Sequence, residues 1–229
     1  MQGLTAQGLT AQQEDPELKK PHYIAIEGVI GAGKTSLAKL LAEKLNGYLV
    51  LENPEENPYL EDFYRDPRRY AFQAQLFFLL NRYRQLSNLP QQDLFHSCLI
   101  ADYLFAKDRI FATVNLEQRD WILYQRVSTL LEKELPKPDL VIYLQSNMER
   151  LWTNIRHRNH AYEKAITAEY LKTLSEAYNT YFFRYTETPL LVIHTSEIDF
   201  INHKEDLEDL IQWIENPPAG VKYYVPKKR

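Results

Sequence analysis

The chain has 229 residues, 45% of them apolar and 25% charged, with one cysteine, Cys98, and a formal net charge of −4. That size suits a single domain with a full core, and one cysteine excludes a disulfide framework and fits a reducing cytoplasm. Slight acidity provides no basic surface for a nucleic-acid strand, and no apolar run approaches a membrane span or an export signal, so a soluble cytoplasmic protein is expected, with no nucleic-acid or membrane partner.

Residues 1–21 carry a short tandem repeat, QGLTAQGLTAQ, with little to bury, and read as a flexible tail ahead of one domain over 22–216. The first strand is expected at 23–27. Directly after it stands Gly28-Val29-Ile30-Gly31-Ala32-Gly33-Lys34-Thr35, the pattern G-x-x-x-x-G-K-[ST], opening a helix over 35–46 with Leu37, Leu40, Leu41 and Leu45 at helical spacing. Chemistry demands these residue types in this order. Glycines let consecutive backbone N–H groups face phosphate oxygens, and the helix adds the positive end of its dipole. Lys34 then reaches the terminal phosphates and the Thr35 hydroxyl is placed for Mg²⁺. Nucleotide binding follows, with Gly28, Gly31, Gly33, Lys34 and Thr35 as its residues.

A second strand is expected at 48–51, followed by LENPEENPYLEDFYRDP. Glu52 there is placed to accept a proton from an attacking hydroxyl, although a solvated acidic loop has the same composition. After a helix over 68–86 and a strand at 97–101, Asp102 occupies the strand end, where an acid holding Mg²⁺ is expected; Asp108 and Phe111 follow within two turns. A helix is expected over 115–134, a strand at 139–144, and a helix over 147–158 that runs into NIRHRNHAYEK. Arg156, Arg158 and His160 recur there at alternate positions, a basic cluster able to close over ATP as a lid or simply an exposed helix end. On a continuous helix Arg156 and His160 share one side while Arg158 points elsewhere, unless the segment unwinds. A helix over 167–186, a strand at 190–194 and a helix over 204–215 complete the pattern, leaving 217–229 as an extension with a solvated KKR end. Five strands alternating with helices imply an α/β fold, a five-stranded parallel sheet with helices on both faces and ligands at the carboxyl ends of the strands.

Taken together, IEGVIGAGKT, LENPEENPYLEDFYRDP, FQAQ, DYLFAKDRIF, KPDLVIYLQ and RHRNHAYEKAITAEYL, in this order, make residues 22–215 resemble the deoxynucleoside kinases, most of all the bacterial deoxyadenosine/deoxyguanosine kinases. The resemblance implies a P-loop kinase fold with a lid segment, ATP as phosphate donor, a deoxynucleoside as acceptor, and a homodimer formed through helices such as 68–86 and 115–134. It implies that Glu52 is the base for the 5′-hydroxyl, that Tyr64 and Glu163 bind the 3′-hydroxyl, that Gln75 and Asp108 read the base edge, and that Phe111 packs on the base. It also favours Arg158 as the lid cation that meets the transferred phosphoryl group. Three positions depart from the family: Asn53 stands where proline is usual after the glutamate, Tyr103 where an arginine normally supports that glutamate and contacts phosphate, and His160 where a second lid arginine is usual. Arg109 and Arg156 are the nearest candidates to supply the missing charge. A kinase-like subunit that acts through binding, and a nucleoside monophosphate kinase related to the thymidylate kinases, remain alternatives at this level; the latter would call for arginine on the sugar side, where this chain has Tyr64, Gln75 and Glu163.

Overall fold

Among the described residues six parallel strands form one sheet in the order β2-β3-β1-β4-β5-β6: β1 is Tyr23–Gly28, β2 Gly47–Val50, β3 Cys98–Ala101, β4 Leu140–Gln145, β5 Leu190–His194 and β6 Val221–Tyr224. The computed structural model describes residues 20–89, 95–200, 203–217 and 219–224; the N-terminal repeat and the terminal KKR lie outside them. The central strands β1 and β4 are buried along nearly their whole length because helices cover both faces of a parallel sheet, which is why YIAIEG and LVIYLQ read as continuous apolar runs.

The sixth strand corrects the expectation of five. It pairs with β5 from Leu190↔Val221 to Ile193↔Tyr224. Of its four residues only Tyr224 is buried, so no apolar run announces it. Tyr224 is anchored by an edge-to-face contact with Trp213, centroids 6.1 Å apart, and its hydroxyl donates to Asp209 at 2.8 Å.

Eight helices connect the strands among the described residues: α1 Lys34–Leu45, α2 Leu60–Arg65, α3 Pro67–Ser87, α4 Lys107–Asn115, α5 Gln118–Glu132, α6 Met148–Arg158, α7 Ala168–Phe183 and α8 Lys204–Glu215. Leu37, Ala38 and Leu41 turn the inner face of α1 onto the sheet. Each leucine buried in this way contributes about 1.5–3 kcal/mol. The helix expected over 115–134 is α5, which starts at Gln118 because Leu116 and Glu117 are extended, with ψ of 138° and 158°; α4 ahead of it was not expected. Short α2 was not expected; Asp66 leaves helical geometry and Pro67, whose ring suits a first turn, starts α3.

Register brings the functional loops level. Ala101 of β3 pairs with Ala25 of β1 on one side and Val50 of β2 on the other. The loops after these three strands therefore open at one edge of the sheet.

Candidate active site

The phosphate loop is held open by its own backbone. Gly31 and Gly33 adopt φ of 85° and 96°, a region that side-chain-bearing residues rarely enter. A Cβ on Gly31 would also lie 2.7 Å from the Leu151 carbonyl. Within the loop, Ala32 N donates to Val29 O at 3.0 Å, and from α6 the Asn154 amide donates to Gly31 O at 2.7 Å. Lys34 lies across the loop, its Nζ donating to Gly28 O at 2.7 Å and Val29 O at 3.2 Å. Burial, and then the charge of Lys107, lower its pKa to about 8. The N-terminus of α1 completes an anion cradle.

Beside it, the Thr35 hydroxyl donates to Asp102 Oδ2 at 2.6 Å, while Asp102 Oδ1 accepts from the Glu52 backbone N–H at 2.8 Å. Asp102 thus joins the loops after β1 and β2. A hydroxyl and a carboxylate side by side are hard oxygen donors, and they fit Mg²⁺, which takes one or two protein groups and completes its shell with phosphate and water.

The Glu52 carboxylate accepts from Arg82 Nε at 2.9 Å, from Arg82 Nη2 and from Lys107 Nζ. Burial works to raise its pKa, but the two cations override this and hold it well below the usual carboxylate range. Arg82 also donates through Nη1 to Asp108. Gln75 Nε2 donates to Asp108 Oδ1 at 2.8 Å and to its backbone O at 2.9 Å, and Tyr124 donates to Oδ2 at 2.5 Å. With both carboxylate oxygens bonded and the residue 1% exposed, Asp108 stands behind Gln75 and Arg82 rather than in the cavity wall. Burial pushes its carboxyl up to about 6.

These groups line one cavity of about 540 Å³ that runs from Lys34 and Thr35 to Tyr64, Gln75 and Phe111. Tyr64 packs edge-on against Tyr170 at 6.2 Å, and Phe111 against Tyr178 at 6.1 Å. Buried Glu163 accepts from Arg158 Nε at 3.2 Å and from Arg158 Nη2. Helix α6 stops at Arg158, where Asn159 takes a left-handed φ of 52°. The segment therefore unwinds, so Arg158 and His160 both face the cavity while Arg156 turns out over Trp152 at 5.9 Å. His160 Nδ1 lies 3.3 Å from Glu55 Oε1 across the mouth.

The model of the deoxynucleoside kinase family matches residues 24–217, over the same span that builds this cavity. The chain belongs to the deoxynucleoside kinases. It is 36% identical over 191 residues to a deoxyguanosine kinase of Bacillus subtilis (strain 168), covering 81% of this chain and 92% of that one. It is 35% identical over 208 residues to a deoxyadenosine kinase of Dictyostelium discoideum, covering 88% and 81%. In three dimensions it is similar to the deoxyadenosine kinase from M. mycoides with bound dCTP, at a TM-score of 0.71 and 30% identity, covering 82% of this chain and 96% of that chain.

Against this kinase background the family departures acquire places. Tyr103, fully buried, donates to Gln85 Oε1 at 2.7 Å, and its ring lies 6.0 Å from the Arg82 guanidinium carbon, so it packs beneath Arg82. Neither cation expected to replace its missing charge lines the cavity: Arg109 is paired with Glu132 on α5, and Arg156 is on Trp152. Arg82 and Lys107 stand there instead, and the sequence reading passed over both. A signal existed for Arg82, which lies seven residues, about two turns, beyond Gln75 on the same face of α3. Glu27 was also missed. It is fully buried, accepts from Gly28 N at 2.9 Å, Leu104 N at 2.9 Å and Tyr178 OH at 3.1 Å, and so ties the strand before the phosphate loop to the segment after Asp102 and to α7.

Proposed function

We propose that the protein transfers the γ-phosphoryl group of ATP to the 5′-hydroxyl of a deoxynucleoside, with purine deoxynucleosides preferred, for nucleotide salvage. The observation that carries this reading is the polarity of the cavity. Lys34, Thr35, Asp102 and the Glu52 carboxylate gather at one end, and neutral Tyr64 and Gln75 with aromatic Phe111 line the other. An acceptor already bearing phosphate would call for a free arginine, and the two that line the cavity are paired, Arg82 with Glu52 and Asp108 and Arg158 with Glu163.

In the step itself the 5′-oxygen attacks the γ-phosphorus. A new P–O bond forms as the bond from γ-phosphorus to the bridging oxygen breaks, ADP leaves, and the hydroxyl proton passes to the Glu52 carboxylate. Thr35 and Asp102 would hold Mg²⁺, which when bound neutralises charge on the donor phosphates. Arg158 lines the cavity from the lid, paired with Glu163, and is the lid cation for the transferred group. Tyr64 and Glu163 hold the sugar 3′-hydroxyl, and Phe111 packs on the base. Both Gln75 Nε2 hydrogens go to Asp108, which fixes the amide from behind and leaves Oε1 as the acceptor for an N–H on the edge of adenine or guanine. Relatives named for deoxyguanosine and deoxyadenosine support the purine preference.

The reading extends to a cytoplasmic homodimer. Leu80 on α3 and Ile122, Leu123 and Leu130 on the adjoining α5 are large apolar side chains left exposed, Leu130 by 67%. A second copy of the same face would cover them. Sedimentation should give twice the chain mass. The activity is tested by incubating purified protein with labelled ATP, Mg²⁺ and each of the four deoxynucleosides separately. The 5′-monophosphate of deoxyadenosine or deoxyguanosine is the expected product; transfer only to nucleoside monophosphates would overturn the reading.

A further inference from the structure

Glu52 is gripped by two cations of unlike freedom. Arg82 is held at both ends, with Nε and Nη2 on Glu52 and Nη1 on Asp108, and its guanidinium also lies 5.0 Å from the Phe78 ring. It cannot advance into the cavity without abandoning a buried carboxylate. Lys107 opens α4, lines the cavity and, among the described residues, meets one hydrogen-bond acceptor, Glu52 Oε2. An ammonium has three N–H donors on a flexible stem, so two remain for an incoming anion. Its Nζ stands between the two ends of the cavity, 5.7 Å from the Phe111 ring and hydrogen-bonded to Glu52, which Asp102 joins to Thr35 of the phosphate loop. Tyr103, four residues earlier, is buried and uncharged, turned to Gln85.

We propose that Lys107 supplies, from the first turn of α4, the positive charge that this chain lacks at position 103: it positions Glu52 and donates to the phosphates of the nucleotide donor. The proposal rests on the kinase reading for its catalytic part and on the phosphate loop alone for its binding part. Arg82 then serves as the fixed support of the carboxylate and Lys107 as the mobile one. The substitution moves the cation four residues along the chain, to the start of α4, and leaves it within reach of the same carboxylate.

The test uses the full chain with Lys107→Met and Lys107→Gln, both of which remove the charge at similar length, and Lys107→Arg, which keeps it. Affinity for ATP with Mg²⁺ is measured by titration calorimetry, and kcat and the deoxynucleoside KM by turnover. Whichever neutral variant folds should bind ATP about tenfold more weakly and lose about 10²-fold in kcat, with the deoxynucleoside KM within about threefold of wild type. Lys107→Arg should recover kcat to within about tenfold of wild type. ATP affinity and kcat both within threefold of wild type in a neutral variant would overturn the proposal, as would a Lys107→Arg variant as impaired as the neutral ones. A wild-type protein that phosphorylates no deoxynucleoside would defeat the kinase reading, and the ATP titrations would still decide Lys107.

Discussion

The phosphate loop and the cluster around Glu52 share one edge of the sheet and are built by opposite means. The loop is local: eight consecutive residues, two glycines in left-handed geometry, and a lysine bonded to carbonyls five and six residues before it. The cluster is assembled: Glu52 follows β2, Arg82 comes from α3, Lys107 and Asp108 from α4 and Tyr124 from α5. Backbone geometry makes the first, whereas buried charge balance makes the second. A change in the loop should therefore act on the phosphates alone, while a change in the cluster should spread into stability and into the groups that share its charges.

The largest expected effect lies in the loop. Lys34→Ala should lower kcat/KM by about 10³–10⁵ while leaving thermal unfolding within a few degrees of wild type. A collapse of the fold instead would mean that the loop depends on Lys34 for its shape, and the contrast between the two regions would break.

How much of each region is legible in the sequence follows from the same contrast. The loop was readable because its chemistry lies in consecutive residues, and Glu52 and Asp102 were readable because they stand just past strand ends, where ligands collect. Lys107 was not, since nothing in KDRIF says that the first residue of α4 turns toward a carboxylate fifty-five residues earlier. Asp108 was expected at the base edge, yet the number of buried donors around it places it a layer behind, and only packing reveals that count. Helical spacing alone could not choose between Arg156 and Arg158; the choice came from Asn159, a residue whose short polar side chain tolerates the left-handed turn that ends α6. The sixth strand stayed hidden because a four-residue edge strand with one buried side chain carries no periodic signal.

A smaller effect separates the two lid arginines. Arg158→Ala should cost about 10²–10³ in kcat, because Arg158 faces the cavity, while Arg156→Ala should stay within about threefold. Equal losses would mean that the lid rearranges enough to bring Arg156 in from Trp152.

The smallest effect is on stability, and it sharpens the picture of the cluster. Burial raises the Asp108 carboxyl from its ordinary 3.8 to about 6. A raised carboxyl binds its proton more tightly in the folded chain than in the unfolded one. Its contribution therefore favours folding below about pH 4 and is lost as pH rises to about 6. Asp108→Asn cannot titrate, so between pH 4 and 6 wild type should lose about 2–3 kcal/mol relative to the variant. Parallel stability profiles across that window would show that Asp108 stays ionised beside Arg82 throughout.

The central claim, that the assembled cluster presents Glu52 as the base while the loop holds the donor, is tested most directly by the steady-state kinetics of Glu52→Gln. Glutamine keeps the shape and its one oxygen can accept from Arg82 or from Lys107 but not from both, and it cannot take up the hydroxyl proton. The account predicts a fall in kcat of about 10²–10⁴ with the deoxynucleoside KM within about threefold of wild type. A variant that keeps its kcat while KM rises by a comparable factor would make Glu52 a binding residue and contradict the account.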